Sequence, residues 1–521
     1  MLKLNPINFA LLICVSIFSI SSSFAVSDLQ KMSDQELSDM TGQALMSLSY
    51  LAPTDSANPM RNISGSNNIG FYKLGLEAEL SLNANIKNLQ LGCGGRNGQG
   101  DCDIDIKNLS LSGLPDSYDS SGNPVFNNGR ASTSASLTNP FIEFAISNPD
   151  KASTRQVTGL RLSAEKISAL LTAGIDNGTA PSKTDGIQSL SGFMQIAATS
   201  GTAYTQQAMF GKSSTQSIGG MANLCVALLI GDCLGYRGTV HIQSDPSSSD
   251  TTGITVPSVA ANFNIPAFTL RGTRQKAANL MGIPALLQNI PIASDGSSQY
   301  PSSMFSNDQL KVLLDCSNGA SSSGGILSCG GLTALKSNAA FKMGAGSAIQ
   351  NLNLNIDFSQ SLSMFHNIPL TGTGGYLSLQ SIPLLWPGAT ISNGDKSLTS
   401  LSAMSENTDV AQPGWWMSFA EPVQLGKLNV QQQIVLDDAV LAQVAARVTE
   451  TLTKDPNSWP SASTSNGFET VGLLFGAPLA SKVVADLGTY TKNNPVYVPL
   501  SNLQLTNQKV VTNCYGGLKF C

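Results

Sequence analysis

Three aspartates at alternate positions, Asp101, Asp103 and Asp105, are residues whose type and spacing could hold a divalent cation. Ile106, however, stands where an EF-hand loop needs glycine for its sharp turn, so that motif is incomplete. In a hairpin, Asp103 and Asp105 would instead point to solvent opposite an apolar face. Gly211-Lys212-Ser213 has the ending of a phosphate-binding loop, but the glycine required five residues earlier is Gln206, and the cradle of backbone amides is missing. The two histidines, His241 in Thr239-Val240-His241-Ile242 and His366 in Met364-Phe365-His366-Asn367, lie near no nucleophile turn. Each reads as a strand residue. Asp437-Asp438 could be an acid/base pair, although a helix start explains both acids. Trp415-Trp416, after Pro413-Gly414, reads as a core or rim anchor ahead of an exposed binding platform. The expectation is a non-enzymatic protein with no catalytic, cofactor-binding or metal-ligating residues.

The cysteines carry more information. Cys14 lies in an apolar leader, and the remaining eight fall into four close pairs: Cys93 with Cys102, Cys225 with Cys233, Cys316 with Cys329, and Cys514 with Cys521. An even count in local pairs implies an oxidising compartment and four disulfides. Each closes a short loop, worth about 2–3 kcal/mol in the chain-entropy model. Zinc is the competing reading, but no pair has the usual ligand spacing and there are 2 histidines.

Outward from the first pair, a phrase occurs twice: Ile86-Lys87-Asn88-Leu89-Gln90-Leu91 and Ile106-Lys107-Asn108-Leu109-Ser110-Leu111. If Cys93 and Cys102 close an antiparallel hairpin, opposed residues sum to about 195. Leu91 then meets Ile104, Leu89 meets Ile106, Ile86 meets Leu109 and Ala84 meets Leu111. Apolar faces apolar each time, as a half-buried ladder requires. The period-two alternation slips by one in both strands at the Lys-Asn pair, which predicts a bulge or bend there. The alternative is a parallel solenoid with Asn88 stacked beneath Asn108. The Ile-x-Asn-Leu-x-Leu phrase returns at Ile349–Leu354, and a looser copy occurs at Leu500–Leu505.

Residues 1–25 read as a secretory signal: Lys3, an apolar core over Phe9–Ile20, and small residues before the Ser23-Phe24-Ala25 cleavage site. Residues 26–50 form a short amphipathic helix and lead-in. Residues 51–330 make a β-rich region with stapled hairpins, and 331–521 a β region with helices near 437–454 and 468–487; these last two can be one body. Further strands are expected at Phe141–Ile146, Val157–Leu162, Thr239–Ile242, Val259–Phe263 and Ala267–Leu270. Seven dipeptides of a β-branched residue before proline, such as Ile283-Pro284, mark strand starts, edges or bends. Ser163–Ala173 is expected to be helical. Asp437–Lys454 is the strongest helix, with Val440, Leu441, Val444, Ala445, Val448 and Leu452 at helical spacing. Phe468–Leu487 is expected to be a second helix interrupted at Pro478.

Net charge is −5, or −6 without Lys3; 12% of residues are charged and 41% hydrophobic. That balance lacks the basic face of a nucleic-acid binder and is too apolar for a disordered acidic chain. No run after the leader is long enough to be a transmembrane helix.

The capping-box segment Ser33-Asp34-Gln35-Glu36-Leu37-Ser38-Asp39-Met40-Thr41-Gly42-Gln43 resembles the S-D-x-E-L-S-x-x-T-G-Q segment that follows the signal in exported Gram-negative pilus-system proteins of the FilA type. The resemblance covers some twenty residues closely and brings no catalytic residues. It implies a structural or accessory component of a cell-surface pilus or fibre, with other surface-system proteins as partners. The fold expected is mainly β, of antiparallel, bent and twisted strands with a few helices toward the C-terminal half. An outer-membrane β-barrel, or another surface binding protein, is the alternative, and a secreted hydrolase a third reading without a motif. The expected location is exported: cell surface, outer membrane or extracellular, with the periplasm left open.

Overall fold

The computed structural model describes residues 46–66, 68–127, 134–178, 181–227, 236–244, 253–305, 309–315, 340–372, 375–423, 428–429, 433–474, 477–502 and 508–511. The expected leader and the helix at 33–42 lie outside these residues. Met46–Cys521 cluster into one compact unit. The architecture is mainly β, with large sheets of mostly antiparallel strands and few helices, in the C-terminal part.

The largest sheet has twelve strands among the described residues. They are β1 (Met46–Leu51), β2 (Ile69–Leu76), β3 (Glu79–Leu82), β4 (Ala84–Leu91), β5 (Ile104–Ser112), β6 (Ala135–Ser147), β7 (Gln156–Thr172), β8 (Gly186–Ile196), β9 (Phe268–Gln275), β10 (Asn367–Leu370), β11 (Gly375–Gln380) and β12 (Gly414–Val423). The main path runs β1-β2-β6-β7-β11-β12-β8-β5-β4. Because β5 also pairs with the far end of β7, strands β7, β11, β12, β8 and β5 close into a ring. Within that ring only β12 and β8 run parallel.

The β4–β5 hairpin has the register its cysteines imply. Ala84 faces Leu111, Ile86 faces Leu109, Asn88 faces Lys107, Leu89 faces Ile106 and Leu91 faces Ile104. The strands are antiparallel and Cys93 is bonded to Cys102. The solenoid reading is therefore wrong. The slip has the expected physical cause: the ladder passes over Lys87 and Asn108, and Asn108 takes φ +53°. One residue is passed over on each strand, so opposed residues still sum to 195 and the apolar face changes phase in both strands together. The same asparagine is left-handed in two other copies of the phrase, Asn351 at φ +54° and Asn502 at φ +49°. Asparagine tolerates this conformation better than other side-chain-bearing residues.

The other three expected disulfides are not seen with both partners. Cys225 is disulfide-bonded, but its expected partner Cys233 lies outside the described residues. The expected bond between Cys316 and Cys329 is not among those described, because Cys316 and Cys329 both lie outside these residues. The same holds for Cys514 and Cys521.

The expected helix at Ser163–Ala173 instead falls in the second half of β7. Its Ala, Glu, Lys and Leu residues favour helix locally. Partners on both sides override that preference: β6 residues Phe141 to Ser136 face Ser163 to Ser168, β11 meets Ser163 through Tyr376, and β10 and β5 pair with the far end at Ala169–Thr172. The helix Asp438–Lys454 (α1) forms as expected, capped by Asp437, whose carboxylate accepts from the Val440 N–H at 2.8 Å. Its apolar stripe enters the large core shared with the other sheets. The expected helix over Phe468–Leu487 breaks into helix Gly467–Leu474, strands Leu479–Ser481 and Val484–Asp486, and a single turn at Gly488–Thr491. Strands from either side of residue 330 share sheets: Ala277–Pro291 pairs with Ala348–Ser361, and β7 with β11.

Candidate interaction surface

Strand alternation sorts six neighbouring strands, β1, β2, β6, β7, β11 and β12, into two faces. On one face, direct cross-strand partners form a row of Leu48, Leu74, Ile142, Leu162, Leu377 and Met417. A second row beside it is Tyr50, Tyr72, Phe144, Leu160, Leu379 and Trp415. None of these twelve side chains is fully buried; Leu48 is 75% exposed and Leu162 43%. Tyr50 and Tyr72 stack, with ring centroids 4.2 Å apart. The two rows make one contiguous apolar face. It runs to β1, which among the described residues pairs only with β2.

The opposite face is closed. Segments 52–66 and 381–411 lie over it, placing Met60, Ile63, Leu384, Trp386 and Val410 against Phe71, Ala145 and Trp416. Gly159 permits this close approach, since a Cβ there would stand 2.7 Å from Leu384 Cδ1 and 2.9 Å from Trp386 Cζ2. The adjacent tryptophans thus divide: Trp416 is a fully buried anchor of the closed face, whereas Trp415, with Leu377 and Met417, is half-buried on the other face against the large core.

The closed face holds two bonded polar groups, although Arg161 Nε, Ser378 Oγ, Gln380 Oε1 and Trp386 Nε1 are buried there without a hydrogen-bond partner among the described residues. Glu143 and Arg161 are cross-strand partners and form a buried ion pair. Arg161 also donates to the Pro387 carbonyl at 2.8 Å and lies over the rings of Phe141, Tyr376 and Trp386. Asp409 accepts from the Tyr376 hydroxyl at 2.7 Å, from Trp416 Nε1 at 3.0 Å and from Ser418 Oγ. Burial pushes the Asp409 carboxyl above its ordinary value, against the pull of these three donors. Burial likewise raises Glu143, opposed by the Arg161 charge, and raises Tyr376 strongly. Asp409 is 1% exposed. Its arrangement fits a buried polar network that fixes the covering segment.

At one end of the open face, β7, β11 and β12 meet the Cys93–Cys102 loop, leaving a cleft of about 460 Å³. The loop is fastened from below by Asp103. That carboxylate accepts from Arg274 Nε at 3.0 Å, Asn97 Nδ2 at 2.9 Å and the Trp415 N–H at 3.0 Å. Arg274 continues to the Gly98 carbonyl at 3.1 Å. The side chain of Asp103 is 1% exposed, so the expectation that it points to solvent fails. Asp105 is also largely covered, bonded to Lys107 at 2.8 Å and to Gln90 at 3.1 Å. Asp101 pairs with Lys276 at 3.0 Å. Each of the three alternating acids thus has its own cation, and among the described residues no cluster of His, Cys, Asp or Glu could hold a metal.

The remaining sequence candidates are scattered. Gly211-Lys212-Ser213 forms a turn before a three-residue 3-10 helix. His241 sits in strand Tyr236–Ser244 as expected. His366 does not lie in a strand; it precedes β10, buried, with Nδ1 2.8 Å from the Ala173 carbonyl, and burial lowers its pKa. Asp437 and Asp438 open α1. Two enclosed voids of about 50 and 30 Å³ line the inner side of α1 and are packing gaps in an apolar core. The open face and the Asp409 network were not anticipated from sequence. One signal existed: Glu143 and Arg161 each stand in phase with small or aromatic core positions. The chain matches no protein-family model, no curated protein and no solved structure.

Proposed function

We propose that this protein is a structural or accessory component of a cell-surface pilus or fibre system, acting through protein–protein contacts at the open apolar face and the adjoining edge of β1. The observation that carries the reading is the continuation of that face to the strand β1, whose other edge has no partner among the described residues. β1 reads Met-Ser-Leu-Ser-Tyr-Leu, with no charge and no proline, and Met46, Leu48 and Tyr50 are exposed. Sheet edges that must stay solitary usually carry lysine, proline or a bulge. An edge without them is suited to accept a strand from a partner chain, with the apolar rows providing the adjoining side-chain contacts. The capping-box resemblance to FilA-type proteins is consistent with the same role.

The test places a photo-crosslinking residue at Leu48 in cells and, in parallel, follows the purified mature chain by sedimentation velocity. The expected outcome is a defined crosslink to a surface-system protein or a second copy, lost in Leu48→Lys/Tyr50→Lys while the melting temperature holds. A chain that stays monomeric and gives no Leu48 crosslink overturns the proposal. Resistance to carbonate extraction would instead favour the membrane-barrel alternative.

A further inference from the structure

The cleft between the open face and the disulfide loop has a chemical asymmetry that strand pairing does not use. Its floor is apolar: Val157, 63% exposed, with Leu160, Leu379 and Trp415. Its charged lining residues are Arg96 and Asp103. Asp103 is engaged by Arg274, Asn97 and the Trp415 amide. Arg96 is exposed on the loop and has no ion-pair or hydrogen-bond partner among the described residues. The cleft therefore offers one uncommitted cation above an apolar floor.

The backbone around the floor is already paired. The Thr158 carbonyl accepts from the Ser381 N–H at 2.8 Å, Leu379 is laddered between Leu160 and Trp415, and Gln380 Nε2 holds the Gly414 carbonyl at 3.0 Å. A peptide laid here would bring several amides over apolar side chains with no ladder to join, at a cost for each unpaired group. A molecule with one charged end and a long apolar body would leave nothing unpaired. The volume, about 460 Å³, lies in the range of small-molecule sites. The loop that carries Arg96 is stapled by Cys93–Cys102 and fastened through Asp103, so little ordering remains to be done on binding.

We infer that this cleft binds a single-chain anionic amphiphile, a long-chain carboxylate. Its alkyl body lies on Val157, Leu160, Leu379 and Trp415, and its carboxylate pairs with the Arg96 guanidinium, whose planar donors match a carboxylate bidentately. The site shares Leu160, Leu379 and Trp415 with the open face but includes no residue of β1.

The test titrates the purified chain with monomeric dodecanoate, dodecyltrimethylammonium and an apolar hexapeptide with a free C-terminal carboxylate, read by calorimetry and tryptophan fluorescence. Dodecanoate is expected to bind once per chain, at least tenfold more tightly than the ammonium. Arg96→Gln should abolish that preference, and Leu379→Asp should abolish binding of both chains. Both positions are exposed, and an unchanged melting temperature confirms that the variants are folded. Equal affinity for the two head groups, an unaffected Arg96→Gln variant, or no saturable binding overturns the inference. Tighter binding of the hexapeptide than of dodecanoate overturns it in favour of a protein terminus.

Discussion

Ile142 and Glu143 are neighbours on one strand and stand in opposite surroundings. Glu143 is 4% exposed against Arg161, while Ile142 is 39% exposed on a face of leucines and aromatics. The contrast extends across the six strands. The closed face buries carboxylates, a guanidinium and a tyrosine in bonded networks; the open face leaves apolar side chains at the surface. The buried polar groups stand among the apolar side chains of the closed core, and the other face is apolar as well. The buried ion pair and the Asp409 network are on one side, and the exposed apolar rows are on the other.

Substitutions can break that contrast. The largest effect is expected from Glu143→Ala, which leaves Arg161 buried without its partner and should cost about 3–5 kcal/mol in denaturant unfolding. A loss below 1 kcal/mol would show that the closed face does not depend on the pair. A smaller effect is expected from pH. The Asp409 carboxyl lies above its ordinary 3.8 in the fold, so between that value and its folded value the native chain holds a proton that the unfolded chain has released. Stability from this group is then present at low pH and declines as pH rises through that window. Denaturation across a pH series should show wild type losing stability relative to Asp409→Asn as pH rises; the opposite slope would mean that the three donors outweigh burial. The smallest effect is expected from Leu162→Thr on the open face, within about 0.5 kcal/mol. A cost of several kcal/mol there would mean that the two faces are not divided as described.

Local chemistry was legible in the sequence wherever short-range signals agreed with the fold. Cys93 and Cys102, together with a duplicated phrase, gave the hairpin register residue by residue. Asp437 and the spacing of Val440, Leu441, Val444 and Val448 gave α1. Where the decisive partners are distant, the signal failed. Ser163–Ala173 has good helix formers and a plausible cap, and its pairing with Ala135–Ser147, Asn367–Leu370, Gly375–Gln380 and Ile104–Ser112 makes it extended through Thr172. Leu479–Ser481 and Val484–Asp486 follow Pro478, and each finds a partner more than a hundred residues upstream. The open face was hidden for a related reason. Alternation shows that a strand has two faces, but only the placement of segments 52–66 and 381–411 decides which face is covered.

The five-strand ring has a bearing on how the chain reaches its fold. Two of its junctions are made by β12, which begins at Gly414, while β5 begins at Ile104. A chain that becomes available from its N-terminus can form β4–β5 and β6–β7 early, since their partners are near in sequence. It cannot close the ring until more than three hundred further residues have followed β5. Until then the sides of β8 and β11 that β12 will occupy lack that partner, and contacts so distant in sequence are slow to form. Folding therefore completes late, and the growing chain carries unpaired edges that must be kept apart from one another until β12 arrives.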